Sequence, residues 1–184
     1  MAKRKPKILL VEPDAGLLEL LASAFSRHVA AQVTCVNGAS CCLDVEVGDP
    51  HDLVVVEWDL PDGSALDLAE QLATFSTRER PVVLLAHRPT SRQIIRAMRL
   101  GVRDVFCKPF PLPRFLARCR QLLGEYDARR RHCAKYTRVR ELLRYVIRER
   151  RELNRRTEFV CRDLVGAHRR LVHRVLAVEG LQGN

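Results

Sequence analysis

The sequence predicts an α/β fold, a five-stranded parallel and doubly wound sheet, followed by a long C-terminal α-helical or coiled-coil extension. Three observations carry this. The short runs Ile8–Val11, Val33–Val36, Leu53–Val56, Val82–Ala86 and Val105–Cys107 are rich in branched residues and do not alternate with polar ones, as suits parallel strands covered on both faces. Segments with helical apolar spacing lie between them, and such alternation implies right-handed crossovers onto one sheet. From Tyr126 to Val178 there is no proline and a single glycine, Gly166, a composition that favours continuous helix.

Taken in order, the run Ile8–Val11 is the first strand, and Leu17, Leu18, Leu20, Leu21 and Phe25 line one face of the helix after it. Val33–Val36 follows, then Ala39–Val47, whose irregular apolar spacing gives the weakest helical signal of the set. The run Leu53–Val56 precedes a helix marked by Leu66, Leu68, Ala69 and Leu72. Val82–Ala86 precedes one marked by Ile94, Ile95, Ala97, Met98 and Leu100, and Val105–Cys107 precedes Phe115, Leu116, Cys119, Leu122 and Leu123.

A chain of 184 residues with 47% hydrophobic content buries one ordinary core and leaves a shorter segment over. The expected division is Lys3–Glu125 for the sheet domain and Tyr126–Asn184 for an arginine-rich helical extension. The formal charge of +10 and pI near 9.8 suit an anionic partner, and most of the excess falls after Gly124. Seven cysteines without a Cys-x-x-Cys spacing read as reduced thiols, several of them small core hydrophobes. The adjacent Cys41 and Cys42 would bridge only with strain. The basic start runs straight into a short apolar strand, too short for a signal peptide or a membrane span. A cytoplasmic location with no membrane partner is expected.

In open sheets of this kind, ligands sit beyond the carboxyl ends of the central strands. Glu12, Pro13 and Asp14 follow the first strand, Glu57 and Asp59 the third, Ala86 and His87 the fourth, and Lys108 the fifth. Residues far apart in the chain therefore form one acidic pocket with one lysine.

The segments Lys7–Asp14, His51–Gly63, Pro81–Ala86 and Gly101–Phe110, the last with its Lys108-Pro109 pair, match a known pattern in order and separation. They resemble the receiver domains of two-component response regulators over roughly the first two thirds of the chain. The resemblance implies a flavodoxin-like receiver fold. It also implies a phosphate-accepting aspartate after the third strand, a magnesium-binding acidic pair after the first, a hydroxyl ending the fourth and a lysine after the fifth.

Measured against that pattern the site is degenerate. The phosphoacceptor position is Glu57, whose extra methylene moves the carboxylate by about 1.5 Å, and misplacement on that scale costs orders of magnitude in a positioned reaction. The acidic pair is Glu12 and Pro13, and proline offers no side-chain oxygen. Magnesium is expected to bind weakly or not at all, and no other cofactor is implied. Ala86 lacks the hydroxyl that would grip a phosphoryl oxygen, and Val105 replaces the aromatic of the family's switch. Lys108 alone of the reactive set is retained; Asp59 is able to lend an oxygen, and Asp14 lies one residue past the metal position. These departures read as a pseudo-receiver that is not an enzyme. Glu57 is left with two roles, a mimic of the acyl phosphate or a structural partner of Lys108, since an unpaired buried charge is strongly unfavourable.

In the tail, counting sevens from Val139 gives Val146, Leu153, Val160 and Ala167 at one seam position, and Leu143, Leu164, Leu171 and Val178 at the other. Arg150, Thr157 and Arg174 interrupt the seam. A helix with such a stripe needs a partner, and a parallel homodimer is the simplest. Leu142, Ile147, Phe159 and Val172 extend the apolar set beyond the seam and keep a hairpin or small bundle open. The arginine pairs Arg150-Arg151, Arg155-Arg156 and Arg169-Arg170 suit phosphate contacts, but they also suit a solvated face paired with Glu141, Glu149, Glu152 and Glu158. No turn interrupts Lys135 to Val165, which argues against a helix-turn-helix. His168 and His173, five apart, do not share a metal-binding face.

The expected function is phosphorylation-independent signalling or scaffolding through protein–protein binding and self-association. A homodimer through the C-terminal helix or the receiver face, and other signalling proteins, are the expected partners. The alternative is DNA or RNA binding by the basic tail. On the receiver, the face near Arg92, Arg96, Arg99, Arg114 and Arg118 is the expected partner surface.

Overall fold

The computed structural model describes residues 4–75 and 80–179. Lys3, the residues beyond 179, and the side chains of His173, Arg174 and Val178 lie outside the described residues. The elements run β1 (Lys7–Val11), α1 (Ala15–His28), β2 (Gln32–Val36), α2 (Ala39–Gly48), β3 (Leu53–Glu57), β4 (Asp59–Leu60), β5 (Gly63–Ser64), α3 (Ala65–Phe75), β6 (Val82–Ala86), α4 (Ser91–Arg99), β7 (Asp104–Cys107) and α5 (Leu112–Glu179).

Five strands form one parallel sheet in the order β2-β1-β3-β6-β7, the flavodoxin-like arrangement. β3 and β6 are buried along their whole length and β1 along all but its first residue, which is why their sequences are continuous apolar runs. Side-chain alternation divides the interior into two layers. Ile8, Leu10, Leu53, Val55, Val83 and Leu85 meet α1 and the start of α5 through Leu21, Phe25, Phe115 and Leu122. Leu9, Val11, Val54, Val56 and Leu84 meet α3 and α4 through Leu68, Leu72 and Ala97. Each large apolar side chain so buried contributes about 1.5–3 kcal/mol. The rings of Phe25 and Phe115 meet edge to face at 5.6 Å and join the two helices over the sheet.

Two local features were not legible as apolar patterns. Helix α2 buries only Cys42 and Glu46, so it has little stripe to be read. Its N-cap is Gly38, which has no capping side chain, and the carboxylate of Asp62 substitutes from a distant loop by accepting the amides of Ala39 at 2.7 Å and Ser40 at 2.9 Å. A Cβ at Gly38 would lie 2.7 Å from that carboxylate. The short antiparallel pair β4–β5 frames the loop that carries Asp62.

The chain divides into two compact units, one ending at Arg130 and one beginning at Arg131. Within the first, Phe115, Leu116, Cys119, Leu122, Leu123 and Tyr126 of α5 are buried. The second is helical through Glu179, and its seam residues from Val139 to Leu171 are exposed. Among the described residues no helix is long and apolar enough to cross a membrane.

Candidate functional site

Three strand ends build the site. Glu12 follows β1, and its amide donates to the Val36 carbonyl at 3.1 Å, holding the backbone in line with β2. Glu57 is the last residue of β3 and pairs in register with Leu85 of β6. The amide of Lys108 donates to the Ala86 carbonyl at 2.7 Å, and the Lys108-Pro109 peptide is cis.

These constraints aim three charged side chains at one point. Lys108 Nζ donates to Glu12 Oε2 at 2.8 Å and forms an ion pair with Glu57 Oε2. The two carboxylates are used alike. Glu12 Oε1 accepts the Asp14 amide at 3.2 Å, and Glu57 Oε1 accepts the Asp59 amide at 3.3 Å. Glu57 Oε2 is buried and faces the Lys108 ammonium, its ion-pair partner. The side chains of Glu12, Glu57 and Lys108 are only 3%, 5% and 11% exposed.

Burial raises the pKa of Glu12, opposed by its hydrogen bond from Lys108. Burial alone would lower Lys108, but its bonds to Glu12 and Glu57 outweigh that and hold its pKa above the ordinary lysine value. The lysine stays charged between two acids, at least one of which is reluctant to ionise.

The other expected site residues are placed as follows. Asp14 is the N-cap of α1, its Oδ1 accepting the Leu17 amide at 2.9 Å, so its carboxylate is turned to the helix. Pro13 and Asp59 are exposed. Ala86 is buried, and Val105 is half-buried against the α3–α4 layer. Among the described residues, no group of three or more His, Cys, Asp or Glu side chains is arranged to hold a metal ion. Where the resemblance would put magnesium, Lys108 contacts both acids, Pro13 supplies no side-chain oxygen and Asp14 caps α1.

On the proposed partner face, Arg92, Arg96, Arg99 and Arg114 are exposed, whereas Arg118 Nε donates to Asp104 Oδ2 at 2.8 Å. Ile95 and Met98 of α4 are exposed apolar side chains beside those arginines.

Sequence reading missed a second buried cluster at the amino-terminal ends of the strands. Glu46 Oε1 takes His51 Nδ1 at 2.7 Å, Glu46 pairs with Arg80, and His51 Nε2 lies 2.8 Å from Thr34 Oγ1. With a carboxylate on Nδ1, that nitrogen carries the proton and Nε2 accepts from the threonine hydroxyl. No spacing rule could have joined these four residues, since they come from α2, β2 and the approaches to β3 and β6.

The profile of the response regulator receiver domain matches residues 8–120. Among curated proteins, the chain is 29% identical over 119 residues to the phosphate regulon transcriptional regulatory protein PhoB of Rhizobium meliloti, covering 64% of this chain and 52% of that protein. It is 29% identical over 113 residues to the transcriptional regulatory protein KdpE of Mycobacterium tuberculosis, covering 61% and 49%. The chain thus spans about half the length of the curated relatives it matches. Among solved structures, the non-phosphorylated HemR receiver domain of Leptospira biflexa aligns with a TM-score of 0.60 and 32% identity over 65% of this chain and 94% of that one. The signal receiver domain of an HD domain-containing protein of Pseudomonas fluorescens aligns with a TM-score of 0.65 over 71% and 96%, and at 23% identity it speaks for the fold alone. With the sheet order, the strand-end site and the family match in agreement, this chain belongs to the response regulator receiver domain family of two-component signal transduction.

Proposed function

We propose that this receiver works without phosphorylation, as a signalling or scaffold module that acts through protein–protein binding and self-association. The observation that carries the reading is the position of Lys108, held between Glu12 and Glu57 where an acyl phosphate and its magnesium would need room and free oxygens. Glu57 acts as the structural counter-charge of Lys108. Its Oε2 already faces the ammonium, and Ala86 offers no hydroxyl to relay a change of state.

Such a domain contributes a rigid surface, and the exposed Ile95 and Met98 among Arg92, Arg96, Arg99 and Arg114 supply apolar contact with a basic rim. Beryllofluoride with magnesium tests the first half of the reading. No saturable change is expected in the amide spectra around Glu12, Glu57 and Ala86, and a saturable change would overturn it. Partner capture by the arginine face is tested with Arg96→Glu/Arg99→Glu, which should abolish co-purification of a signalling partner while leaving the fold intact.

A second reading, nucleic-acid binding by the tail, is favoured by the exposed arginines beyond Arg131 and by the relatives' names as transcriptional regulators. Comparing salt-dependent binding of the full chain with a chain lacking residues 126–184 decides it. Equal affinity in the two would sink it.

A further inference from the structure

Among the described residues, the second unit displays an exposed apolar stripe. Val146, Leu153, Val160, Leu164 and Leu171 are 58–71% exposed, although they recur at the spacing of a helix seam. The charges beside that stripe say what covers it. The four central seam positions Arg150, Thr157, Leu164 and Leu171 are each preceded by a charged residue, and these run Glu149, Arg156, Asp163, Arg170, alternating in sign.

A parallel, in-register pair would put every seam residue against its own copy. Arg150 would then meet Arg150 inside the interface, a like-charge contact with no relief. An antiparallel pair sets the two seam positions against each other instead, and flanking residues of one type meet the same type on the other helix. One antiparallel register satisfies both the seam and its flanking charges from Val146 to Leu171. Val146 then lies opposite Leu171, Leu153 opposite Leu164, and Thr157 opposite Val160. Arg150 meets the small Ala167, beside which its stem has room to lie while its head reaches water. In the same register Glu149 meets Arg170 and Arg156 meets Asp163, each twice by symmetry.

Shifting by one heptad in either direction destroys this. One shift sets Glu149 against Asp163 and Arg156 against itself; the other sets Arg156 against Arg170 and Asp163 against itself. The alternating charges therefore specify both orientation and register, as flanking charges do in helix pairs generally. Arg156 already faces Glu152 of its own helix at 3.5 Å, an exposed pair that leaves other guanidinium donors for Asp163.

We propose that residues 145–172 pair with the same segment of a second copy of this chain, antiparallel, about a two-fold axis passing between Glu158 and Phe159. This rests on the self-association in the reading above and deepens it, replacing the parallel pairing that seam counting alone favours.

Sedimentation of the full chain with two charge variants tests the register. Glu149→Arg should weaken the dimer roughly tenfold, because it creates two like-charge contacts. Glu149→Arg/Arg170→Glu should restore it, because in the antiparallel register the swapped charges meet again. Circular dichroism checks that each variant keeps its helix. Crosslinking through the exposed native thiols gives a second readout: a Cys133-to-Cys133 link requires parallel chains and would overturn the proposal. A dimer indifferent to Glu149→Arg, or one that the double swap does not rescue, would also overturn it while sparing the broader reading. A chain that is monomeric at all concentrations would remove both.

Discussion

Two buried charged clusters sit at opposite ends of the same sheet, and they balance their charge differently. At the carboxyl ends of the strands one cation, Lys108, serves two acids, Glu12 and Glu57. At the amino ends one cation, Arg80, serves one acid, Glu46, while His51 is kept toward its neutral form by burial. The first cluster carries a surplus of acid in the position where the receiver family does its chemistry. The second has no surplus and joins α2, β2 and two strand entrances. What separates the cluster at the family's reaction position from a structural staple is thus the imbalance that burial must manage.

The sharpest way to break this comparison is to remove each cation. Lys108→Met leaves two carboxylates facing each other without a counter-charge, and should destabilise the domain by about 3–5 kcal/mol. Arg80→Met leaves only Glu46, which His51 can still meet by taking up a proton, so a loss of roughly 3 kcal/mol is expected. Urea unfolding at neutral pH measures both. Equal losses, or a larger loss for Arg80→Met, would mean that the surplus of acid has no energetic signature.

Acid sharpens the contrast, because the clusters respond with opposite sign. Glu12 has a raised pKa, so the folded state holds its proton more tightly than the unfolded chain. Its contribution is greatest below the ordinary value of 4.5 and is lost as pH rises through the folded value. His51 has a lowered pKa, chiefly from burial, so its contribution is present above 6.5 and is lost as pH falls through its folded value. Unfolding midpoints followed from neutral pH down to 4.5 should therefore decline on the histidine account and partly recover on the glutamate account. His51→Gln should flatten the decline, and Glu12→Gln should remove the recovery. A decline unchanged in His51→Gln would detach the amino-terminal cluster from the acid response.

The carboxyl-terminal cluster was legible in the sequence and the other was not, for a physical reason. Glu12, Glu57 and Lys108 each stand just beyond a continuous apolar run, and parallel strands bring their ends together whatever the details of packing. Three of the five strands, β1, β3 and β6, were legible for the same cause, since they are buried on both faces. Asp14 shows the limit: its acidity was visible, but its use as an N-cap depends on where α1 begins. Glu46 lies on a helix with almost no stripe, and its partners His51 and Arg80 approach from two other segments, so neither periodicity nor spacing marks it. The tail's exposed seam was legible as a pattern, while its orientation lay in the sign of the flanking charges.

The smallest test concerns the far edge of the amino-terminal cluster. Thr34 belongs to the edge strand β2, and its hydroxyl meets His51 Nε2 at 2.8 Å. Replacing it with valine keeps the shape and the β-branched fit to the strand but leaves that nitrogen without a donor. A loss of about 1 kcal/mol is expected, well below either cation variant, because the group left unsatisfied is neutral and lies near the edge of the sheet. The same variant should move the acid response upward in pH. A neutral Nε2 without a donor is a better place for a proton, and a protonated His51 still has Glu46 to meet on its other nitrogen. If Thr34→Val instead costs as much as Arg80→Met, the staple is held by its hydrogen-bond chain and not by its ion pair, and the contrast between the two ends of the sheet would have to be redrawn as one of satisfaction, not of charge.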